Sequence, residues 1–144
     1  MVELSVAREA TDELVAAFRR LLPQLSTSAA PLERKALAAT LSSPSNTVLV
    51  AREGDEIVGA LTLVLYAVPT GLRARIEDVV VDSRARGRGV GEALTREALR
   101  LAAERGARSV DLTSNPARVA ANQLYQRMGF ELRETNAYRF RISR

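Results

Sequence analysis

The chain has 144 residues, enough for one ordinary domain with a real core and too few for two substantial ones. It contains neither cysteine nor histidine, which removes disulfides, thiolate nucleophiles, most zinc sites and the usual near-neutral general base; any chemistry rests on carboxylates, tyrosine, backbone amides or water. The net charge of +4 comes almost wholly from arginine, with Lys35 the sole lysine, and admits a phosphorylated or polyanionic ligand.

Val2 to Val6 alternate as an opening strand. Thr11-Asp12-Glu13 then offer an N-cap and an acidic first turn to a helix whose Leu14, Val15, Phe18, Leu21 and Leu22 recur at helical spacing until Pro23 interrupts. A second short helix is expected to begin at Pro31, carry Leu32, Ala36, Leu37 and Leu41 on one face, and end at Ser42-Ser43-Pro44. Residues 47–51 and 57–66 are rich in valine and leucine, and Glu53-Gly54-Asp55 between them reads as a hairpin turn. Residues 75–82 form another strand, nearly all apolar in its second half, as suits a central position covered on both faces. Residues 91–104 are the clearest helix, with Leu94, Ala98 and Leu101 inward and Gly106 as its stop. Residues 109–113 make a strand, Asn115-Pro116 an N-cap and first helical position for a last helix running to Gly129, and residues 130–133 and 138–142 a closing pair of strands.

The order is β-α-α-β-β-β-α-β-α-β-β, an α/β (α+β) pattern with antiparallel strands first and a β-α-β crossover in the second half. No repeat, low-complexity tract or linker divides it, so residues 1–144 read as one domain. No apolar run reaches membrane-spanning length, and Met1-Val2-Glu3-Leu4 lacks the basic-then-apolar build of a signal peptide, which predicts a soluble, cytoplasmic protein.

The chemistry concentrates at Arg86-Gly87-Arg88-Gly89-Val90-Gly91. A strand ending at Asp82 leads through this basic, glycine-rich turn into a helix, so free backbone N–H groups and the positive helix end converge on one spot, an anion site. A dinucleotide fingerprint would need glycine at 92, where Glu92 stands, and a Walker A loop would need Gly-Lys-Ser/Thr, which is absent. What remains is R-x-x-G-x-G, written Arg86-x-x-Gly89-x-Gly91.

That turn, Ile76-Glu77-Asp78-Val79-Val80-Val81-Asp82 before it, and Leu124-Tyr125 with Met128-Gly129-Phe130 after it resemble the GNAT superfamily of acyl-CoA-dependent N-acyltransferases over essentially the whole chain. The resemblance implies a mixed, mainly antiparallel sheet of six to seven strands flanked by about four helices. It implies acetyl-CoA as donor, with the amides around Arg86 to Glu92 on the CoA pyrophosphate. The backbone of Val79, Val80 and Val81 would lie along the pantetheine arm, provided the neighbouring strands part there. Tyr125 matches the family tyrosine that serves the departing sulfur, and Asn122 a position that often contacts the CoA arm. A metal has no place in this scheme, and dimers are common among relatives.

Acyl transfer from a thioester needs a neutral amine, stabilisation of the tetrahedral oxyanion and a proton for the leaving thiolate. Without histidine or cysteine, direct attack in a ternary complex is expected rather than an acyl-enzyme. Glu77, in an apolar strand, is the candidate general base, acting through a water; the alternative is a structural carboxylate paired with Arg73 or Arg75. Strand alternation sends Asp78 to the opposite face. Asn115, Arg118, Asn122 and Tyr125 form a polar stripe on the last helix, opposite the apolar Ala120, Leu124 and Met128, and are expected to bind the cofactor; the bland alternatives are a core aromatic for Tyr125 and a solvated Asn122. Tyr66, Asp78, Tyr138 and Arg139 are expected near the acceptor. The leading expectation is therefore an N-acetyltransferase acting on a primary amine, a small molecule or amino sugar before a peptide or protein N-terminus. A non-catalytic CoA-binding module and a basic nucleic-acid binder are the competing classes, the latter weakened by scattered arginines and few aromatics.

Overall fold

The computed structural model describes residues 2–27 and 30–143, which form two compact units, Met1–Leu112 and Thr113–Arg144. The first contains strand β1 (Glu3–Ala7), helices α1 (Asp12–Leu25) and α2 (Arg34–Ser42), strands β2 (Asn46–Glu53), β3 (Glu56–Val68) and β4 (Gly71–Val81), a short 3-10 turn (Ser83–Ala85), helix α3 (Val90–Glu104) and strand β5 (Val110–Asp111). The second holds helix α4 (Val119–Arg127).

The strands form one sheet in the order β1-β2-β3-β4-β5, antiparallel throughout except for the β4–β5 pair. Two-residue hairpin connections, Gly54-Asp55 and Pro69-Thr70, keep β2, β3 and β4 adjacent, whereas the parallel β5 is reached only after α3 crosses over. On one face Leu14, Val15, Ala17, Phe18 and Leu21 of α1 and Leu37 of α2 pack with Val48, Val50, Ile57, Ala60 and Val80. Truncating such a residue, for example Leu21→Ala, costs about 3 kcal/mol in lost transfer energy and cavity. The other face receives α3. Gly59 alternates with Ala60 and so points there, and a Cβ at that position would stand 3.0 Å from Val90 Cγ1 and 3.2 Å from Leu94 Cδ1. The bare glycine thus lets the first turn of α3 lie close against the sheet, next to the end of β4.

Several expected boundaries move. Pro23 lies inside α1, which runs on to Leu25. In the last turn a proline costs few helical bonds, and Leu25 packs against the core beyond it. The N-cap is as expected, Thr11 Oγ1 accepting from Leu14 N at 3.2 Å. Helix α2 starts at Arg34 rather than Pro31, and α4 spans 119–127 rather than starting at Pro116 and running to Gly129. Among the described residues the sheet has five strands, not six to seven. The expected strand at 109–113 shrinks to two paired residues, and residues 130–133 and 138–142 join no ladder. Tyr138, Phe140 and Ile142 have the alternation of a strand but are 90%, 88% and 71% exposed. Alternation describes a face, and without a neighbour to cover that face and bond the backbone there is no strand.

Candidate functional site

The site of the first unit is built where β4 ends. Asp82, 2% exposed, accepts hydrogen bonds from Arg84 N at 3.1 Å and Arg84 Nη2 at 3.0 Å, and its carboxylate stands 3.4 Å from Arg20 Nε of α1. The hydrogen bonds from Arg84, side chain and backbone, hold the Asp82 carboxyl well below the usual carboxylate range, with Arg20 adding to the effect. Arg84 also pairs with Glu56 on the far side. Asp82 thereby caps the 3-10 turn that delivers the chain to Arg86.

From there Gly87 and Gly89 both adopt φ of +79°, and Gly89 is the N-cap of α3 with no side chain closing it. An L-residue at Gly89 would be strained. A Cβ at Gly87 or Gly89 would meet nothing within 4 Å, so the space above the turn is open. The first helical bond, Ala93 N to Gly89 O at 3.0 Å, leaves the amides of Val90 and Gly91 outside the helical ladder at its positive end. This is a concave nest of N–H groups suited to phosphate oxygens. The two arginines of the turn differ. Arg88 Nη1 donates to Glu53 Oε1 at 2.8 Å at the β2–β3 hairpin, whereas among the described residues Arg86 donates only through Nε, to Val81 O at 3.4 Å.

Upstream, the β3–β4 register slips: Ala60 faces Val80 and Thr62 faces Glu77, so Leu61 stands opposite both Asp78 and Val79. Asp78 sits at φ +50°, the sole positive φ of a non-glycine among the described residues. This bulge corrects the strict alternation read from the sequence. Glu77 and Val80 are three residues apart yet share the α1 face, since Val80 belongs to that core and Glu77 faces Thr62, the partner of core residue Val48. Asp78 is the extra residue between them. Both carboxylates are exposed. Glu77 Oε2 accepts from Arg75 Nε at 3.2 Å, the pairing foreseen as the structural alternative. Burial, and then the neighbouring Glu77 charge, push the Asp78 carboxyl above its usual value.

The parallel ladder with β5 ends at Arg75↔Asp111, where β5 itself ends, so Val79, Val80 and Val81 carry no bonds to β5. Tyr66 lies on the same face as Thr62, four residues further along β3 and roughly 13 Å from the level of Glu77, half-buried.

In the second unit, Asn115 Oδ1 accepts from Ala117 N at 2.8 Å, and Asn122 Nδ2 donates to the carbonyls of Asn115 at 3.0 Å and Arg118 at 2.8 Å. Both asparagines therefore tie down the entry to α4. The clean separation of a polar from an apolar stripe does not hold: Tyr125 is the buried residue of α4, at 8% exposure, while Ala120 is exposed. Gly129 turns the chain at φ +105° and Phe130 N donates back to Tyr125 O at 2.9 Å. That brings the two rings edge to face at 5.6 Å, the physical content of the Leu124-Tyr125…Gly129-Phe130 spacing. Burial raises the Tyr125 phenol, with Arg118 opposing, so the hydroxyl keeps its proton at neutral pH. Tyr138 is open to solvent, its hydroxyl accepting from Asn136 Nδ2 at 3.3 Å. Ser114 was missed by sequence reasoning. Its Oγ is buried with no hydrogen-bond partner among the described residues.

The chain matches the acetyltransferase (GNAT) family over residues 9–130. It belongs to that family. An uncharacterized N-acetyltransferase of Methanocaldococcus jannaschii is 41% identical over 61 residues, which are 42% of this chain and 27% of that protein. A solved structure from Agrobacterium tumefaciens that carries an acetyltransferase name aligns with a TM-score of 0.83 and 26% identity over 97% of this chain and 99% of its own. An aminoglycoside acetyltransferase from an uncultured soil metagenomic sample shares the fold, with a TM-score of 0.82 at 18% identity over 99% of this chain and 97% of its own.

The chain is thus a GNAT acyltransferase, and acetyl-CoA is the donor this family generally uses. Among the described residues no helix is long and apolar enough to cross a membrane, and no cluster of carboxylates is placed to hold a metal ion.

Proposed function

We propose that this GNAT enzyme transfers an acetyl group from acetyl-CoA to a primary amine by direct attack in a ternary complex, with a small-molecule amine or amino sugar as acceptor. The observation that carries the proposal is the turn between β4 and α3, where positive-φ glycines, an uncapped helix start and open space above it fit a pyrophosphate. The amides of Gly87 to Gly91 would hold those oxygens, with Arg86 as the available charge. The unpaired edge of Val79 to Val81 would bond the pantetheine amides. Asn115, Arg118 and Asn122 would act mainly by ordering the start of α4.

Acetyl-CoA, when bound, supplies a thioester-activated acetyl group. The chain's own task is to neutralise the amine and return a proton to the leaving sulfur. An alkyl ammonium with pKa about 10.4 is neutral in only about one molecule per few thousand at pH 7, so the carboxylates of the β4 bulge have a proton to take. Glu77 and Asp78 also offer negative charge to a cationic acceptor, with Tyr66 further along the same face of β3. Tyr125, protonated at neutral pH, is the candidate donor to sulfur. Acceptors of small size are favoured by the aminoglycoside enzyme that shares the fold.

A turnover screen tests the reading: release of free thiol from acetyl-CoA with polyamines, amino sugars, aminoglycosides, amino acids and N-terminal peptides, alongside calorimetry with CoA. Binding with no turnover on any amine would favour a CoA-binding module, and absence of both would end the proposal.

A further inference from the structure

We propose that Asp78, and not Glu77, is the group that takes the proton from the acceptor amine. The inference rests on the acetyltransferase reading above and adds the assignment of its base. The two neighbouring carboxylates are distinguished by what holds them. Glu77 is engaged by Arg75 on its own strand at 3.2 Å, so its carboxylate already has a partner in place. Asp78 makes no hydrogen bond or ion pair with any described residue, and it lies at the surface with its carboxyl partly screened from water. It is also the extra residue of the bulge, held at φ +50°, where aspartate is tolerated but glycine would be easier. Bulges re-aim side chains beside active sites, and this one lies directly before Val79 to Val81.

The electrostatic surroundings agree. β3 presents Ala60, Leu61 and Thr62 opposite the bulge, none of them titratable, and β5 contributes Asp111 only at the level of Arg75. From α1, Arg20 is directed to Asp82 and Ile57 O and Arg19 to Leu32 O. From α3, Arg96 is paired with Glu92. No cation in these pairings neutralises Asp78, while partial burial of its carboxyl, and then Glu77 beside it, oppose its ionisation, which favours proton uptake.

In the proposed step the Asp78 carboxylate removes one proton from the ammonium, giving a neutral amine. The amine lone pair forms the C–N bond to the acetyl carbon as the C–S bond breaks. The second N–H proton passes to the sulfur, and Asp78 releases its own proton to water. The products are an acetamide, free CoA thiol and one proton.

The test compares Asp78→Asn with Glu77→Gln on two readouts. Carbon-13 carboxyl NMR of the wild-type protein with CoA should show Asp78 titrating above the ordinary aspartate range, and Asp78→Asn should remove that resonance. With the best amine of the screen, Asp78→Asn should lower kcat/KM at pH 7 by about 100-fold or more and abolish the acidic limb of the pH profile. Glu77→Gln should keep that limb. Hydrazine, less basic than an alkylamine, should recover most of the lost rate in Asp78→Asn. CoA binding and melting temperature should stay near wild type, with Asp78→Gly as a second variant that relaxes the backbone. An Asp78 that titrates in the ordinary range, or an acidic limb lost in Glu77→Gln but kept in Asp78→Asn, would overturn the assignment. A wild-type protein without turnover would instead overturn the acetyltransferase reading itself, while the NMR titration still reports on Asp78.

Discussion

Asp82→Asn isolates the group that anchors the turn leading into α3. The substitution preserves volume but removes a charge that is 2% exposed and held by Arg84 and Arg20. Breaking a buried pair from one side costs about 3–5 kcal/mol when the surviving charge is trapped. Here the survivors are not trapped, since the Arg84 side chain is 64% exposed and that of Arg20 38%. An amide oxygen can also still accept from Arg84 N. The expected loss is therefore about 2 kcal/mol at pH 7, near the lower range for hydrogen bonds to charged groups and equivalent to a fall of roughly 6 °C in Tm. The pH dependence gives the sharper check. Because the folded-state pKa of Asp82 is depressed, its contribution is complete above the unfolded value of about 3.9 and is lost as pH falls through the folded value. Urea titrations of both proteins should show a constant gap from pH 8 to about 5 and a narrowing gap below about 4. A gap that is absent at pH 7, or equally wide at pH 3, would refute the assignment of Asp82 as an ionised anchor. CoA affinity should fall in parallel, because the 3-10 turn capped by Asp82 leads into Arg86.

The two turn arginines should separate on calorimetry with CoA. Arg86→Ala is expected to weaken binding by about tenfold or more, the loss of one charge-assisted hydrogen bond, whereas Arg88→Ala, whose side chain is already held by Glu53, should change it less than threefold. Ser114→Ala removes a buried hydroxyl without a partner, so the free protein should gain about 1 kcal/mol in urea unfolding; a loss would mean that the hydroxyl is satisfied in solution. Tyr125→Phe keeps the edge-to-face contact with Phe130 and should leave Tm near wild type while lowering kcat about 100-fold with little change in KM. Equal kcat for the two proteins would reduce Tyr125 to a packing residue.

The parts of the fold legible in the sequence were those governed by local periodicity. The stripe Leu14, Val15, Phe18 and Leu21, the hairpin at Gly54-Asp55 and the position of a glycine turn before α3 follow from short-range spacing, and as elements of the fold all three are found where expected. What was hidden depends on register or on a partner distant in sequence. The bulge at Asp78 exists because Leu61 spans two residues of β4, a fact of pairing that no property of Ile76-Glu77-Asp78-Val79 reveals. Asp82 looked like a strand end, since its burial is set by Arg20, sixty-two positions earlier in the chain. The need for a bare glycine at Gly59 likewise comes from α3 lying over it, a contact between distant parts of the chain. In the closing segment the error had the opposite sign: a correct period at Tyr138, Phe140 and Ile142 was taken to guarantee a strand, although a strand also needs a neighbour.

The charge balance is instructive for the same reason. As a sequence total, +4 carried largely by arginine admits a polyanion-binding surface. In space Arg20, Arg34, Arg52, Arg75, Arg84, Arg88, Arg96 and Arg100 each stand beside a carboxylate. Apart from the two pairs on the buried Asp82, these are exposed pairs that add little stability, about 0–1 kcal/mol each, but together they break up the continuous positive stripe that a phosphate backbone would follow. Anion recognition then depends less on how many arginines there are than on where oriented amides accompany one. At the start of α3 the amides following Gly87 and Gly89, the positive helix end and Arg86 coincide. A site of that kind selects a compact, doubly charged group such as a pyrophosphate over an extended polyanion, because its field falls away within about one helical turn. The same reasoning separates the two carboxylates of the β4 bulge: Glu77 is compensated by Arg75, and the charge left to act on an acceptor amine is that of Asp78.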